Sequence, residues 1–382
     1  MIHKIPATWM RGGTSKGLFV MAQDLPTQRE QRDALLLSAL GSPDPYGKQI
    51  NGVGGATSST SKIVIVSRSL QPDCEIEFLF GQVAIDRAQI DYSGNCGNLT
   101  TAVAPFAIAQ GLVSAQAGMT TVRIWQANLG QRIVAHVPTT RAGVVEAGNF
   151  REAGVAAAGA EIRLEFLQPV SATTTQESAL LPSGQLQDDL EVPGIGTLRV
   201  TYLQAGSPTI FVRAKALGLT GKELPDALNR DRKLLEKLES IRAHGAVQMG
   251  LAQSVEQASQ QRLATPKLAL IAPPTSYTSS AQEEIPREHM DVLARIISMG
   301  KAHHAFTGTG AIALAVAAAL PGTIVSEVTR TLPGVATRIG HPSGVLPIEA
   351  DVELRNEGWL VKRVLLSRSA RVLMQGVVHA AL

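Results

Sequence analysis

The chain twice makes the same local construction, and this repetition limits its fold more than any other feature. Ser93-Gly94-Asn95-Cys96-Gly97-Asn98 is a glycine-rich turn that runs straight into 99–109, a stretch of small and apolar residues suited to a buried helix. Phe306-Thr307-Gly308-Thr309-Gly310 does the same ahead of 311–320. Cys96 and Thr307, the matching positions of the two turns, stand 211 residues apart. Two such units predict duplicated half-domains. A helix start offers unpaired N–H groups and the positive end of the helix dipole, which together make an anion site. If the two starts face each other across a cleft, their donors converge on one acidic ligand. A polycarboxylate is the ligand class expected.

Cys96 has a plainer reading as well. A free cysteine is commonly a small buried hydrophobe, and glycines in a turn often answer only a backbone requirement. At a helix start, however, the field favours a thiolate. A thiol there can hold a carboxylate's neighbourhood and trade a proton beside it.

Composition sets the remaining bounds. The 382 residues suffice for two domains with substantial cores. Hydrophobic residues make up 45% and charged ones 18%, the balance of a globular protein. Aromatics are only 4%, so the interior must be packed from small and β-branched side chains. A net charge of +3 with scattered basic residues excludes a nucleic-acid stripe. Two cysteines, Cys74 and Cys96, do not make a disulfide framework and fit a reducing compartment. The opening residues lack an apolar signal core, and the longest apolar run, 311–320, is about half a membrane span. A cytoplasmic protein is expected.

Along the chain, 2–9 and 18–21 read as hairpin strands, and 27–40 as a helix capped by Thr27. Strands follow at 63–66, 75–80, 82–85 and 88–92, then 120–126, 132–136, 143–148 and 161–166. The polar stretch 173–188 is taken as the boundary, dividing the chain into 1–186 and 187–382, with a tail that is free to return to the first domain. The second half opens with strands 196–204 and 209–212, then a charged helical stretch 224–249 and a strand 268–271. Segments 289–298 and 311–320 look helical, 348–354 and 359–365 alternate as strands, and 367–375 reads as a closing helix. An apolar face on 224–249 leaves a homodimer open.

Two loops add donors. Arg11-Gly12-Gly13-Thr14-Ser15-Lys16-Gly17 has cations and little bulk, suiting it to a carboxylate or phosphate, though it serves equally as a tight turn. It lacks the spacing and ending of a P-loop. The aperiodic stretch 41–62 is long for a connection within a domain, and such loops tend to carry function. It ends on Lys62, just before a buried strand. Desolvation there lowers an ammonium's pKa toward the range of a base; the alternative is a solvated lysine that merely ends the loop.

The Cys-Gly-Asn turn opening a central helix, in a two-lobed chain, resembles the diaminopimelate epimerase fold. Those epimerases place a second thiol where this chain has Thr307, so symmetric two-thiol racemisation is not expected. More narrowly, the chain resembles the PrpF family of 2-methylaconitate cis–trans isomerases nearly end to end. The resemblance rests on residues 10–17, 41–49, 58–62 and 93–98, with Ile241-Arg242-Ala243-His244-Gly245, Gly340-His341-Pro342-Ser343-Gly344 and Ser367-Arg368-Ser369-Ala370-Arg371. Asn51 departs from the family's usual aspartate. The resemblance implies an α+β fold of two pseudo-symmetric epimerase-like domains, each a strongly curved, mostly antiparallel sheet around a central helix, with the active site in the interdomain cleft. It also implies that Lys62 and Cys96 are the catalytic pair, Lys62 standing in for the lost second thiol.

The expected reaction moves the double bond of an unsaturated tricarboxylate, most simply 2-methylaconitate in propionate catabolism. Lys62 removes a proton, Cys96 is a second acid/base or a positioning group, and donors stabilise the dienolate. The N–H groups of Gly97, Asn98, Gly308 and Thr309 are assigned to carboxylates, with Arg11, Ser15, Lys16, Ser61, Thr307 and Ser343 as further contacts. His341 either pairs with a carboxylate or braces its turn. Adjacent His303 and His304 are expected to point apart and make a poor chelate, so no metal is expected. Without a dinucleotide fingerprint or a pyridoxal phosphate context, no cofactor is expected. Related alternatives are 4-oxalomesaconate tautomerase and 3-methylitaconate isomerase. Of other classes, a racemase and a non-catalytic accessory to an aconitase-type 2-methylcitrate dehydratase remain, the latter enzyme being the expected functional partner.

Overall fold

The structure, a computed structural model, describes residues 2–170, 180–330, 334–356 and 358–381. The chain divides into two compact units, Met1–Leu164 with Ser367–Leu382, and Glu165–Leu366. The division falls after Leu164 where the sequence placed it at 186, and the closing segment is part of the first unit. Part of the polar stretch 173–188 lies outside the described residues.

In the first unit, strand Ile2–Gly12 is flanked by Ser15–Met21, its hairpin partner, and by the last strand, Ala370–Ala381. Ser15–Met21 runs parallel to Lys62–Arg68, which pairs antiparallel with Ile76–Val83. The sheet continues in parallel to Gly118–Gln126 and antiparallel to Gln131–Thr140. Helix Gly97–Ala109 packs against several of these strands, and every residue from Gly97 to Ile108 is buried. Such burial requires small residues on both sides. A Cβ on Gly12 would come within 2.5 Å of the Asn98 carbonyl oxygen. Helix Arg29–Leu40 covers the other face of the sheet, burying Leu35, Leu36, Ala39 and Leu40 in a cluster with Leu18, Val20, Ile63 and Ile65.

The second unit repeats this order. Hairpin Gly196–Ala205 and Ser207–Arg213 runs parallel to Lys267–Ala272, which pairs antiparallel with Val292–Ser298. That strand is parallel to Thr337–His341, itself antiparallel to Gly344–Arg355. Helix Gly308–Ala319 is buried from Gly308 to Ala317. Both units are α+β, and each places a buried helix against a mixed, mostly antiparallel sheet. The duplication read from the two turns therefore extends to strand order. Lys62 and Lys267 each open the strand that runs parallel to the second strand of their unit's hairpin, and Cys96 and Thr307 each cap its helix.

Several local expectations are corrected. Segment 289–298 contains a strand, Val292–Ser298, not a helix. All seven of its residues are buried, so the alternation that marks a half-buried strand is absent. The closing segment is the strand Ala370–Ala381, not a helix. Helix Arg29–Leu40 has Gln28 at its N-cap, with no side-chain cap from Thr27. The stretch 224–249 breaks at Asp231 into Pro225–Arg230 and Arg232–Gln248, and Asp231 caps the second helix by accepting from Leu234 N. The apolar side of that second helix packs into the unit's own core through Leu238 and Ile241, with Leu234 and Leu235 against it. It is therefore not a free dimer face. Among the described residues no helix is long and apolar enough to cross a membrane.

Candidate active site

Lys62 is the first residue of a strand whose next four residues are all buried, so its side chain enters the interior with only 7% exposure. Its amine donates to Gln82 Oε1 at 2.5 Å and lies 5.1 Å from the centre of the Phe80 ring. The Gln82 amide is held in that orientation because its Nε2 donates to the Ser61 carbonyl at 3.0 Å. Burial pushes the Lys62 ammonium below its ordinary value of 10.5, while the neighbouring Cys96 sulfur, as charge and hydrogen-bond acceptor, pulls the other way. The amine and the thiol thus share one site.

Cys96 is the N-cap of its helix, with an extended backbone, and its sulfur accepts from Leu99 N at 3.5 Å. Asn95 fixes the approach by accepting from Cys96 N at 2.6 Å. The N–H groups of Gly97 and Asn98, in the helix's first turn, have no protein acceptor among the described residues. Asn98 turns its side chain the other way, donating to Thr14 Oγ1 at 2.9 Å and accepting from Arg368 Nε at 3.2 Å. Arg368 is buried against Glu152, Nε to Oε1 3.1 Å. Ser15, in the adjacent hairpin turn, is 4% exposed, and its hydroxyl has no partner among the described residues. An unpaired hydroxyl and two unpaired N–H groups near a helix start form a place for a carboxylate.

Other expected contacts have neighbours within the protein. Arg11 spends its guanidinium on Gly13 O, Ser369 O and Ser369 Oγ, and sits 4.0 Å from Glu152. Its bonds brace the turn. The Lys16 amine lies 5.9 Å from the centre of the Trp9 ring. Ser61 donates to Gln49 Oε1 at 2.7 Å, and Gln49 also donates to Ser42 and accepts from Ala56 N. The long loop 41–61 is thereby organised around the buried Gln49 side chain.

In the second unit, Thr307 caps its helix by accepting from Gly310 N at 3.2 Å, and Gly308 and Thr309 form the buried first turn. His341 is 2% exposed. Its Nδ1 accepts from Ser343 N at 3.2 Å, and Tyr277 OH donates to its carbonyl at 2.5 Å. Ser343 donates to the His304 carbonyl at 2.6 Å. These bonds brace the turn. His303 and His304 do not point apart: their rings stack at 4.6 Å, because the pair lies outside regular helix or strand. Among the described residues, no three His, Cys, Asp or Glu side chains are grouped as metal ligands.

Gln82, Glu152 and Ser207 were not singled out from the sequence. Ser207 follows Gly206 in the second unit's hairpin turn, is 1% exposed, and has a hydroxyl without a partner among the described residues, as Ser15 has. The only signal for it was the internal repeat, once extended from the helices to the hairpins. Gln82 is the ladder partner of Lys62, a pairing one sequence does not display. Glu152 lies in an irregular segment, and only its buried partners reveal it.

The geometry can be set beside known proteins. The family model described as PrpF protein matches residues 2–381. A 2-methyl-aconitate isomerase of Shewanella oneidensis is 50% identical over 98% of this chain and 96% of its own length. One from Cupriavidus necator is 49% identical over 98% and 97%. Among solved structures, a methylitaconate-delta-isomerase superimposes with a TM-score of 0.77 at 35% identity, covering 99% of this chain and 96% of that one.

Proposed function

Because the chain belongs to the PrpF family, we propose that it isomerises the double bond of 2-methylaconitate between cis and trans forms, as an enzyme needing only its own side chains. The observation that carries this reading is the buried Lys62 amine sharing a site with Cys96 at a helix N-terminus. With its ammonium destabilised by burial, Lys62 supplies a neutral amine to take a proton from the carbon next to the unsaturated acid. The electron pair delocalises into the conjugated carboxylate, giving a dienolate. The N–H groups of Gly97 and Asn98 and the Ser15 hydroxyl meet the developing charge. Rotation about the bond that has lost double-bond character, then return of a proton from Lys62 or Cys96, completes the isomerisation. The proton taken is given back, so the reaction is redox-neutral.

The likeness to a methylitaconate isomerase favours one second reading, in which reprotonation at the other end of the dienolate moves the double bond. A product of the first reaction is a substrate for hydration by an aconitase-type enzyme, the expected functional partner. The two free cysteines support a reducing compartment, the cytoplasm, as the site of the reaction.

Proton NMR in deuterated buffer with 2-methyl-trans-aconitate tests the reading. Deuterium entry together with formation of the cis isomer, both lost in Lys62→Ala, is the expected result. Binding with neither exchange nor isomer would leave an accessory role. Turnover of methylitaconate alone would select the positional isomerase.

A further inference from the structure

The stretch 41–61 contains no regular helix or strand, yet it ends on the residue before Lys62. Two anchors hold it. The N–H groups of Tyr46, Lys48 and Gln49 converge on the Asp44 carboxylate at 2.9, 2.8 and 2.5 Å. Further along, Val53 N and Gly54 N donate to the Ala39 and Leu40 carbonyls at 2.9 and 3.2 Å, docking the stretch on the end of helix Arg29–Leu40. Gln49 lies between these anchors in sequence and is 1% exposed.

A buried amide needs partners for both its oxygen and its nitrogen. Gln49 Nε2 donates to Ser42 Oγ at 2.9 Å, and Oε1 accepts from Ala56 N and from Ser61 Oγ, both at 2.7 Å. Ala56 N can only donate, so the amide cannot be turned over, and Ser61 must donate its one proton to Gln49. A Cβ on Gly54 would overlap Gln49 Oε1, so the packing on that side is close. Ser61 is fully buried. Its carbonyl accepts from Val83 N and from Gln82 Nε2, each at 3.0 Å. Gln82 Oε1 in turn accepts from the Lys62 amine. One continuous chain of contacts therefore joins the loop to the amine, in the order Gln49, Ser61, Gln82, Lys62.

We propose that Gln49 is a positioning residue for the isomerisation, setting the direction of the Lys62 amine through Ser61 and Gln82, a role that rests on Lys62 being the base as proposed above. The stretch 41–61 is the frame that holds Gln49. Ser61 precedes the strand Lys62–Arg68 and meets the ladder at its carbonyl, where Val83 N donates. Its peptide can still rock about that bond. The hydroxyl bond to Gln49 removes this freedom. Gln82 follows the direction of the carbonyl through its Nε2 and passes it to the amine through its Oε1. A reacting group must be held within about 0.5 Å of its productive place, so a rocking peptide upstream is enough to misdirect the amine. Ser61, expected from the sequence to contact substrate, has its proton committed to this chain instead.

Steady-state kinetics with 2-methyl-trans-aconitate on the full chain test this. Gln49→Leu should lower kcat on the order of tenfold to a hundredfold with KM nearly unchanged. Gln49→Glu, whose protonated carboxyl offers the same donor and acceptor in a buried site, should recover most of that loss. Because Gln49 acts through Gln82, adding Gln49→Leu to Gln82→Leu should cost nothing further, whereas independent effects would multiply. Ser61→Ala cuts only the hydroxyl link, leaves Gln49 its bonds to Ser42 and Ala56, and should reproduce the loss even if Gln49→Leu does not fold. Substrate-free NMR of protein carrying 13C at lysine Cε separates the proposal from the choice of reaction. The Lys62 resonance, assigned by its loss in Lys62→Met, should titrate closer to 10.5 in Ser61→Ala than in wild type, as the loosened loop admits water. If wild type turns over no 2-methylaconitate but this midpoint moves, the positioning role stands and only the choice of substrate fails. Multiplying losses in the double variant, no recovery with Gln49→Glu, or a folded Ser61→Ala with an unmoved midpoint would overturn the proposal.

Discussion

Lys62 and Gln82 face each other across one antiparallel rung, and the lysine's amine donates to the amide oxygen at 2.5 Å. Gln82 cannot flip, because its Nε2 is committed to the Ser61 carbonyl. It therefore aims the amine without carrying a proton itself. Gln82→Leu should lower kcat on the order of tenfold to a hundredfold, the usual cost of a misdirected group, with KM nearly unchanged. Gln82→Glu should instead move the acid limb of the pH–rate profile upward, since a carboxylate beside the amine favours the ammonium. A purely structural glutamine would show neither the kcat–KM split nor the shifted limb.

Burial holds Lys62 below 10.5, and the sign of the resulting pH dependence is fixed. Activity needs the neutral amine, so kcat/KM rises with pH through the lowered pKa. The unfolded chain binds the proton more tightly than the folded one, so folding stability also rises with pH between the lowered pKa and 10.5. Below that window the desolvation penalty is fully felt; above it the penalty is gone. Lys62→Met should abolish exchange, remove this slope, and stabilise the protein at the acid side of the window by on the order of 1 kcal/mol, about 2–4 °C. Denaturant melts across pH measure the slope.

What the sequence made legible follows from which signals are local. The Cys96 and Thr307 turns are local constructions, and each caps a buried helix as expected. Lys62 was legible because a cation opening an apolar run must enter the interior or curl away. Strand 292–298 was misread because burial on both faces erases the period of two. The closing strand was misread for a related reason. Its partner, Ile2–Gly12, lies at the other end of the chain, and nothing within 367–375 reports that ladder. Gln82, Glu152 and Ser207 acquire meaning only through neighbours distant in sequence.

Cys96 does two separable jobs, capping a helix and presenting a thiol. Cys96→Ser keeps an N-cap oxygen and should leave stability within about 0.5 kcal/mol, since serine is among the favoured caps. Cys96→Ala loses the cap and should cost about 1 kcal/mol. If the thiol exchanges protons, both variants lose comparable activity although their melting curves differ. Recovery of turnover by the serine variant alone would assign Cys96 to positioning. Thermal melts beside single-turnover kinetics separate these outcomes.

Arg368 and Glu152 make a buried pair, 3.1 Å apart, with side chains only 5% and 2% exposed. The pair reaches the site through Asn98, whose Oδ1 accepts from Arg368 while its Nδ2 holds Thr14. Glu152 also accepts from Ser369 N and Oγ, so one carboxylate ties the last strand to an irregular segment of the same unit. Removing one member strands the other's charge in the interior, a loss of about 3–5 kcal/mol. Glu152→Gln should therefore destabilise far more than an exposed ion-pair variant such as Glu353→Gln. Replacing both members, Glu152→Gln with Arg368→Met, should recover most of the stability, because the uncompensated charge is gone. It should not recover substrate affinity. Without Arg368, Asn98 keeps only its bond to Thr14, and the helix start and hairpin turn are less firmly held, so KM should stay raised several-fold. Urea melts and steady-state kinetics on the single and double variants test this coupling. A double variant restored in both properties would show that the pair acts on stability alone.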